Sequence, residues 1–384
     1  MRILAIAATP FFSDRGCHIR ILNEARYLQK MGAEVRLSTY HIGEDVPGLS
    51  IARIKGPKWY KKTSPGFSWG KLWLDFKLLF LTRREIRKFR PDAIHAHLYE
   101  GLAIGHLAKK LAFRGNIPIV FDLQGNLDEE FESYNKKNKF AKKMFSRLSK
   151  IVAKWADKIV VSSENIWKQN FQNGSFASII PDGIDLDLFN NPQELSKNEQ
   201  KKIESIENWK SGSRLLAYIG GLSDNKGVGE LLNAFLRSDL KNRGWRLLLG
   251  GFGKDEKKYK KFVNENNLDK WVYFAGRVSY FSLPRYLALA DAGIDPKKDS
   301  TESSGKLMNL AAAGLPIVCF DSKFNRARLG EKGNYLKNMD DLENALKNIQ
   351  TGEKVKYDLE NLSEEKEVKK LFEIFKSISA KNRQ

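Results

Sequence analysis

The sequence predicts an α/β protein of two doubly wound domains, and three observations carry that expectation. The chain has 384 residues, more than one hydrophobic core usually serves, so two domains are expected. Short aliphatic and β-branched runs alternate with amphipathic helical stretches, which is the rhythm of a parallel sheet with crossover helices. That rhythm stops across residues 181–211 and then restarts, so the nucleotide-fold unit is expected twice.

Taken in order, the first half reads as a strand at 3–8, a helix at 21–31, strands at 34–39 and 93–96, and a helix at 101–111. A strand at 117–121, a basic helix at 137–156 and a strand at 158–162 complete it. Pro181-Asp182-Gly183 and Asn190-Asn191-Pro192 are turn signals, and the polar stretch that follows them reads as the interdomain connection. The second half has expected strands at 215–219, 246–249, 272–275, 292–295 and 317–320. Helices are expected between them at 228–236, 256–264, 283–290 and 306–313. In the tail, Val368, Leu371, Phe372, Phe375 and Ile378 recur at helical spacing, which predicts one buried stripe packing back on the body. The expected domains are therefore 1–185 and 186–363, followed by a terminal helix at 364–384.

Apolar residues make up 42% of the chain and charged residues 29%, an ordinary globular balance without a tract for a disordered arm. Cys17 and Cys319 lie too far apart to suggest a metal site by spacing, and a reducing compartment fits them. The apolar run that follows Met1 is too short to span a bilayer and reads as a buried strand, so a cytoplasmic location is expected. The formal charge of +20 points to an acidic partner such as a nucleotide, a nucleic acid, an anionic lipid or an anionic acceptor. The plain alternative is a lysine-rich surface that serves solubility.

The strongest chemical signal is Gly220-Gly221-Leu222-Ser223-Asp224-Asn225-Lys226-Gly227, between a strand and a helix. Glycines admit a ligand to the backbone, a helix N-terminus offers unpaired N–H groups, and Lys226 adds a full positive charge, so a diphosphate fits. The same stretch also reads as a glycine-rich turn with a solvated lysine, since it matches neither common phosphate-loop pattern. Ser303-Ser304-Gly305-Lys306 is a second phosphate candidate, although either serine could simply cap a helix. In the first half, Arg15, Gly16 and His18 occupy the loop after the first strand and could meet a phosphate, a sugar or the acceptor side. Gln124, in Asp122-Leu123-Gln124-Gly125-Asn126, could face a reacting sugar. Surface loops are the competing reading for both places. His95 and His97 alternate on one strand and read as structural, because no further ligands are spaced with them for a metal.

Two stretches combine basic and aromatic residues. One runs from Lys58 through Trp69, Trp73, Phe76 and Phe80 to Arg84, and the other is the lysine-rich segment 136–150. Such segments suit an anionic bilayer surface, and buried helix faces with solvated lysines are the alternative. The aromatics are mixed with aliphatics and do not follow an RNA-binding strand pattern, so no nucleic-acid partner is expected.

With these motifs in their order, the chain resembles the retaining glycosyltransferases of the GT-B fold, a group that includes bacterial mannosyl- and glucosyltransferases of lipids and polysaccharides. Beside the lysine loop, the resemblance rests on Pro91-Asp92-Ala93-Ile94-His95-Ala96-His97, Pro181-Asp182-Gly183-Ile184-Asp185, Gly250-Gly251-Phe252-Gly253 and Ala311-Ala312-Ala313-Gly314-Leu315-Pro316. It covers almost the whole chain. It implies two facing Rossmann-like domains with a cleft between them, and transfer of a sugar with retention from a nucleoside diphosphate to a glycan or lipid-linked acceptor. It further implies Lys226 and Lys306 at the diphosphate, Gly276 and Arg277 beside the base, Asn309 at the ribose, and no metal or other cofactor. A location at the inner face of the membrane is compatible with it. Four positions depart from the pattern. Gly221 replaces a basic residue, Thr301 and Asn309 replace paired glutamates with Glu302 one place off, and Gln124 replaces a histidine. Rival readings are a GT-B epimerase or phosphorylase, or a basic membrane-surface or nucleic-acid binding protein with a decayed transferase site.

Overall fold

Two parallel sheets organise the computed structural model, which describes residues 1–13, 16–57, 60, 69–124, 151–164, 166, 168, 177–298 and 305–381. The chain separates into two units. The first is built from Met1–Asp182 and Glu364–Gln384, the second from Gly183–Ser300 and Ser304–Ser363.

In the first unit the elements are β1 (Arg2–Ala7), α1 (Gly16–Lys30), β2 (Glu34–Thr39), β3 (Ser50–Arg53), α2 (Trp69–Phe89), β4 (Ala93–His97), α3 (Leu98–Leu111), β5 (Ile119–Leu123), β6 (Lys158–Val161) and β7 (Ala177–Ile179). The strands lie in the order β3-β2-β1-β4-β5-β6-β7, and every pair is parallel. The order reverses between β1 and β4, which is where open α/β sheets bind ligands at their strand carboxyl ends. Ile3, Leu4, Ile6, Ile94 and Phe121 are fully buried, as expected for strands covered on both faces. A side chain at Gly101 of α3 would meet the Ile6 carbonyl oxygen at 2.8 Å, so the glycine lets α3 lie directly on β1.

The second unit contains α4 (Leu186–Asn190), α5 (Lys197–Lys210), β8 (Arg214–Ile219), α6 (Val228–Arg237), β9 (Trp245–Gly250), α7 (Glu256–Glu265), β10 (Val272–Gly276), α8 (Leu283–Leu287), β11 (Ala292–Asp295), α9 (Gly305–Ala312), β12 (Ile317–Phe320), α10 (Lys323–Leu329), β13 (Gly333–Leu336) and α11 (Leu342–Leu346). Its sheet runs β10-β9-β8-β11-β12-β13, again wholly parallel. Here the order reverses between β8 and β11.

The stretch expected as the interdomain connection is partly helical. Helix α5 starts with a capping box, in which Ser196 accepts from the Glu199 backbone while Glu199 reaches back to the Ser196 backbone. The signal was in the sequence as Ser-x-x-Glu, and the low apolar content hid it. The expected basic helix at 137–156 lies mostly outside the described residues. The last helix, α12 (Glu364–Lys381), belongs to the first unit. It packs on α1, with Val368, Leu371 and Phe375 fully buried and the Phe375 ring edge-on to His95 at 5.2 Å.

Candidate functional site

At the carboxyl ends of β4 and β5, the first unit holds a buried charge network around Arg20 of α1. Its guanidinium bonds Asp122 through Nε and Nη2 at 3.0–3.1 Å, the Ile180 carbonyl at 3.0 Å and Asp182 at 2.9 Å. Nη2 also lies 3.0 Å from Glu24. Asp122 Oδ2 further accepts from Gln124 Nε2 at 2.6 Å and from His97 Nδ1 at 3.1 Å, which fixes His97 as the Nδ1–H tautomer. Burial alone favours a neutral carboxyl at Asp122, but Arg20 and then His97 override it and hold the group well below the usual carboxylate range. Glu24 goes the other way. It is 1% exposed, and burial raises its pKa well above normal despite Arg20, whose donors are already engaged by Asp122 and Asp182. Burial, followed by the proximity of His97, lowers the His95 pKa, so this imidazole stays neutral.

The ligand atoms of Glu24, His95, His97 and Asp122 all lie within 4.8 Å of one another. Sequence spacing gave the two histidines no partners, and the fold supplies them from α1 and β5. Both Asp122 oxygens already accept from Arg20, and Oδ2 also from His97 and Gln124, so these groups form a hydrogen-bonded network closed by a guanidinium. Arg20 was not singled out in the sequence. Its signal was a lone cation on the inward face of a helix, which only acquires meaning once Asp122 and Asp182 fold against it.

The other expected residues of this unit behave differently. His18 is fully buried. Its Nε2 meets the Thr9 hydroxyl at 2.7 Å, and Nδ1 accepts from the Ser13 backbone at 3.1 Å. The histidine thus holds the loop after β1 in shape, a correction to its expected exposure toward an acceptor. Gly16 is exposed, with open space where a side chain would stand. Gln124 is half-buried, and its Oε1 has no hydrogen-bond partner among the described residues. Arg15 and Gly125 lie outside the described residues.

In the second unit, three turns at the strand carboxyl ends are joined backbone to backbone. Gly220 N donates to Gly250 O at 2.9 Å, Leu222 N to Phe252 O at 3.0 Å, and Gly251 N to Gly276 O at 2.7 Å. Gly251 adopts φ +127°, and a side chain there would lie 1.9 Å from the Gly220 carbonyl oxygen, so only glycine allows the contact. Gly227 has φ +78° and would meet the Pro296 oxygen at 2.0 Å; it begins α6 without a side-chain cap.

The two lysines singled out in the sequence lie beside neighbouring glycines of this turn. Lys306 Cδ stands 3.0 Å from the position a Gly220 side chain would take, and Lys226 Cγ stands 4.0 Å from the equivalent position at Gly221. Lys306 also pairs with the buried Asp295 at 3.3 Å. Gly276 is in a left-handed turn with φ +67° and open space above it. Arg277 is exposed, its guanidinium 5.6 Å from the Phe252 ring centroid. Asn309 lies one turn after Lys306 on α9 and is half-buried. Gly305 opens α9, while Glu302, Ser303 and Ser304 lie outside the described residues.

Sequence comparison follows the same division. The family model described as Glycosyltransferase Family 4 matches residues 15–188, and that of Glycosyl transferases group 1 matches residues 213–351. The chain belongs to these glycosyltransferases. It is 23% identical to an alpha-monoglucosyldiacylglycerol synthase of Acholeplasma laidlawii, over 84% of this chain and 81% of that one. It is 26% identical to the sulfoquinovosyl transferase SQD2 of Arabidopsis thaliana, over 82% of this chain and 58% of the plant protein. Among solved structures, sucrose-phosphate synthase of Thermosynechococcus elongatus superposes with a TM-score of 0.69 at 17% identity, over 99% of this chain and 96% of that one. HepE of Anabaena, in complex with UDP and glucose, gives 0.66 at 16% identity, over 99% and 98%. The fold of the glycosyltransferase is therefore GT-B, with Rossmann-like domains.

Proposed function

We propose that this glycosyltransferase moves a hexosyl group from a nucleoside diphosphate sugar to a lipid-linked acceptor, with retention of anomeric configuration, at an anionic membrane surface. The observation that carries the donor half is the placement of Lys306 beside Gly220 and of Lys226 beside Gly221, next to the start of α6, which has no side-chain cap. When the C1–O bond to the diphosphate breaks, negative charge gathers on the leaving group, and two ammonium groups with backbone N–H donors stabilise it where it forms. The acceptor hydroxyl oxygen forms the new bond to C1 and passes its proton to the departing diphosphate oxygen. Gly276 and Arg277 would flank the base, Asn309 the ribose, and Glu302, Ser303, Ser304 and Gly305 the sugar and phosphates. In the first unit, Gln124 has an Oε1 with no partner among the described residues that can accept from a sugar hydroxyl, while Asp122 holds its amide nitrogen. The lipid-linked acceptor is supported by the diacylglycerol in the name of the Acholeplasma relative. HepE, solved with UDP and glucose, supports the donor class.

Replacing Lys226 with Ala should lower kcat for transfer from UDP-glucose by about 10²–10³, the usual cost of one charge-stabilising donor. A Lys226→Ala enzyme with the wild-type rate refutes the donor site. NMR of the product reads retention directly, because an inverted anomeric centre contradicts it.

A further inference from the structure

Tyrosine hydroxyls from two different elements reach the lysine turn from the interior of the second unit. From β8, the fully buried Tyr218 donates to the Gly221 carbonyl at 2.8 Å. From α7, Tyr259, only 1% exposed, donates to Asp224 Oδ1 at 2.8 Å. The Asp224 backbone N–H in turn donates to Asp255 Oδ2 at 2.9 Å, just before α7. Hydrogen bonds from Lys258 and then Tyr259 lower the Asp224 pKa, so the tyrosine meets a carboxylate and the bond is charge-assisted.

The two donors to Asp224 differ in how firmly they are held. Lys258 lies 2.7 Å from Oδ2, but both side chains of that pair are more than half exposed, and a solvated lysine fixes little. The Tyr259 ring belongs to the hydrophobic core of this unit, so its hydroxyl is placed by packing. Gly229, in the first turn of α6, leaves room for the contact, since a side chain there would crowd Asp224 Oδ1 at 3.3 Å and the tyrosine ring at 3.6 Å. The turn then closes on itself, with Lys226 N donating to Ser223 O and Gly227 N to Asp224 O, each at 3.0 Å. Lys226 is thereby carried between Asp224, tied to α7, and Gly227, which lies against the Pro296 carbonyl.

We infer that Tyr259, acting through Asp224, and Tyr218, acting through the Gly221 carbonyl, are positioning residues for Lys226: they fix the backbone from which its ammonium reaches the leaving diphosphate. The inference deepens the donor-site reading and rests on it. A charge-stabilising group works only where charge develops, and a displacement of about 1 Å can cost on the order of a hundredfold in rate. Lysine has a long and flexible stem, so a firm base for that stem is where such precision can be built.

Phenylalanine at either position keeps the ring in the core and removes only the hydroxyl. Tyr259→Phe and Tyr218→Phe should each lower kcat for transfer from UDP-glucose about tenfold, and neither should lower it further once Lys226 is alanine. A hydroxyl that merely stabilised the fold would give losses that multiply with that of Lys226→Ala. Hydrogen exchange followed by mass spectrometry, on the full-length protein without donor, reads the turn itself. Exchange at the Lys226 and Gly227 amides should rise about tenfold in Tyr259→Phe and stay near wild type in Lys258→Ala. Unchanged exchange in Tyr259→Phe, or multiplying losses in the double variants, would overturn the inference. A wild-type rate in Lys226→Ala sinks the donor reading instead, while the exchange measurement, which needs no turnover, still decides whether the hydroxyls hold the turn.

Discussion

The two units carry similar strand orders and prepare their ligand-facing ends by opposite means. In the first, side chains do the work: one buried guanidinium ties together Asp122, Asp182 and the Ile180 carbonyl, and Asp122 in turn orients His97 and Gln124. In the second, the backbone does it: glycines at 220, 227 and 251 let three turns touch, and lysines are laid over the result. A side-chain network is rigid because breaking any link strands a buried charge. A glycine scaffold is rigid because no other residue fits.

The difference can be broken first at Arg20. Substitution by Met leaves Asp122 ionised and uncompensated in the interior, with an expected loss of about 3–5 kcal/mol in chemical denaturation. Glu24→Gln, by contrast, should stay within about 1 kcal/mol of wild type, because burial raises the Glu24 pKa well above normal and so disfavours its charged form. Equal costs for the two would show that the network is not centred on the guanidinium. In the second unit, Gly251→Ala should cost roughly 2–3 kcal/mol from its backbone strain and its clash with Gly220. It should also abolish the thermal shift produced by UDP-glucose, and a retained shift would mean that the turns tolerate separation. A pH-dependent effect concerns Asp75, a buried carboxyl that accepts from Tyr40. Burial raises its pKa to about 6, against the opposing Tyr40 hydrogen bond and Lys71. A raised folded-state value stabilises most at low pH, so this contribution should decline between about pH 4 and pH 6, by on the order of 2 kcal/mol. Asp75→Asn should flatten that slope in a pH series of melting curves.

Much of the fold could be read from periodicity, because parallel strands buried on both faces are continuous apolar runs. The strands at 34–39, 292–295 and 317–320 appear where those runs predict them. Strands β3 and β7 escaped because Ser50–Arg53 and Ala177–Ile179 are short edge segments with little apolar content. Helix α2 was noticed for its rings and charges and not as a helix, since its exposed aromatics blur the amphipathic period. The placement of the lysine turn was legible because its glycines fall between an apolar strand run and a helical stretch. The Arg20 network was not, because it joins residues 102 and 162 positions apart, and no local pattern encodes such a meeting. The burial of His18 was hidden for the same reason, as its partners Thr9 and Ser13 become neighbours only when the loop closes.

Helix α12 belongs to the first unit although it is made from the last stretch of the described chain. A polypeptide emerging from the ribosome can complete its second sheet while the flank of α1, and the ring of His95, still await Phe375. The half that is synthesised first is therefore sealed last, and premature termination anywhere before this helix leaves the earlier half, more than the later one, with an uncovered apolar seam.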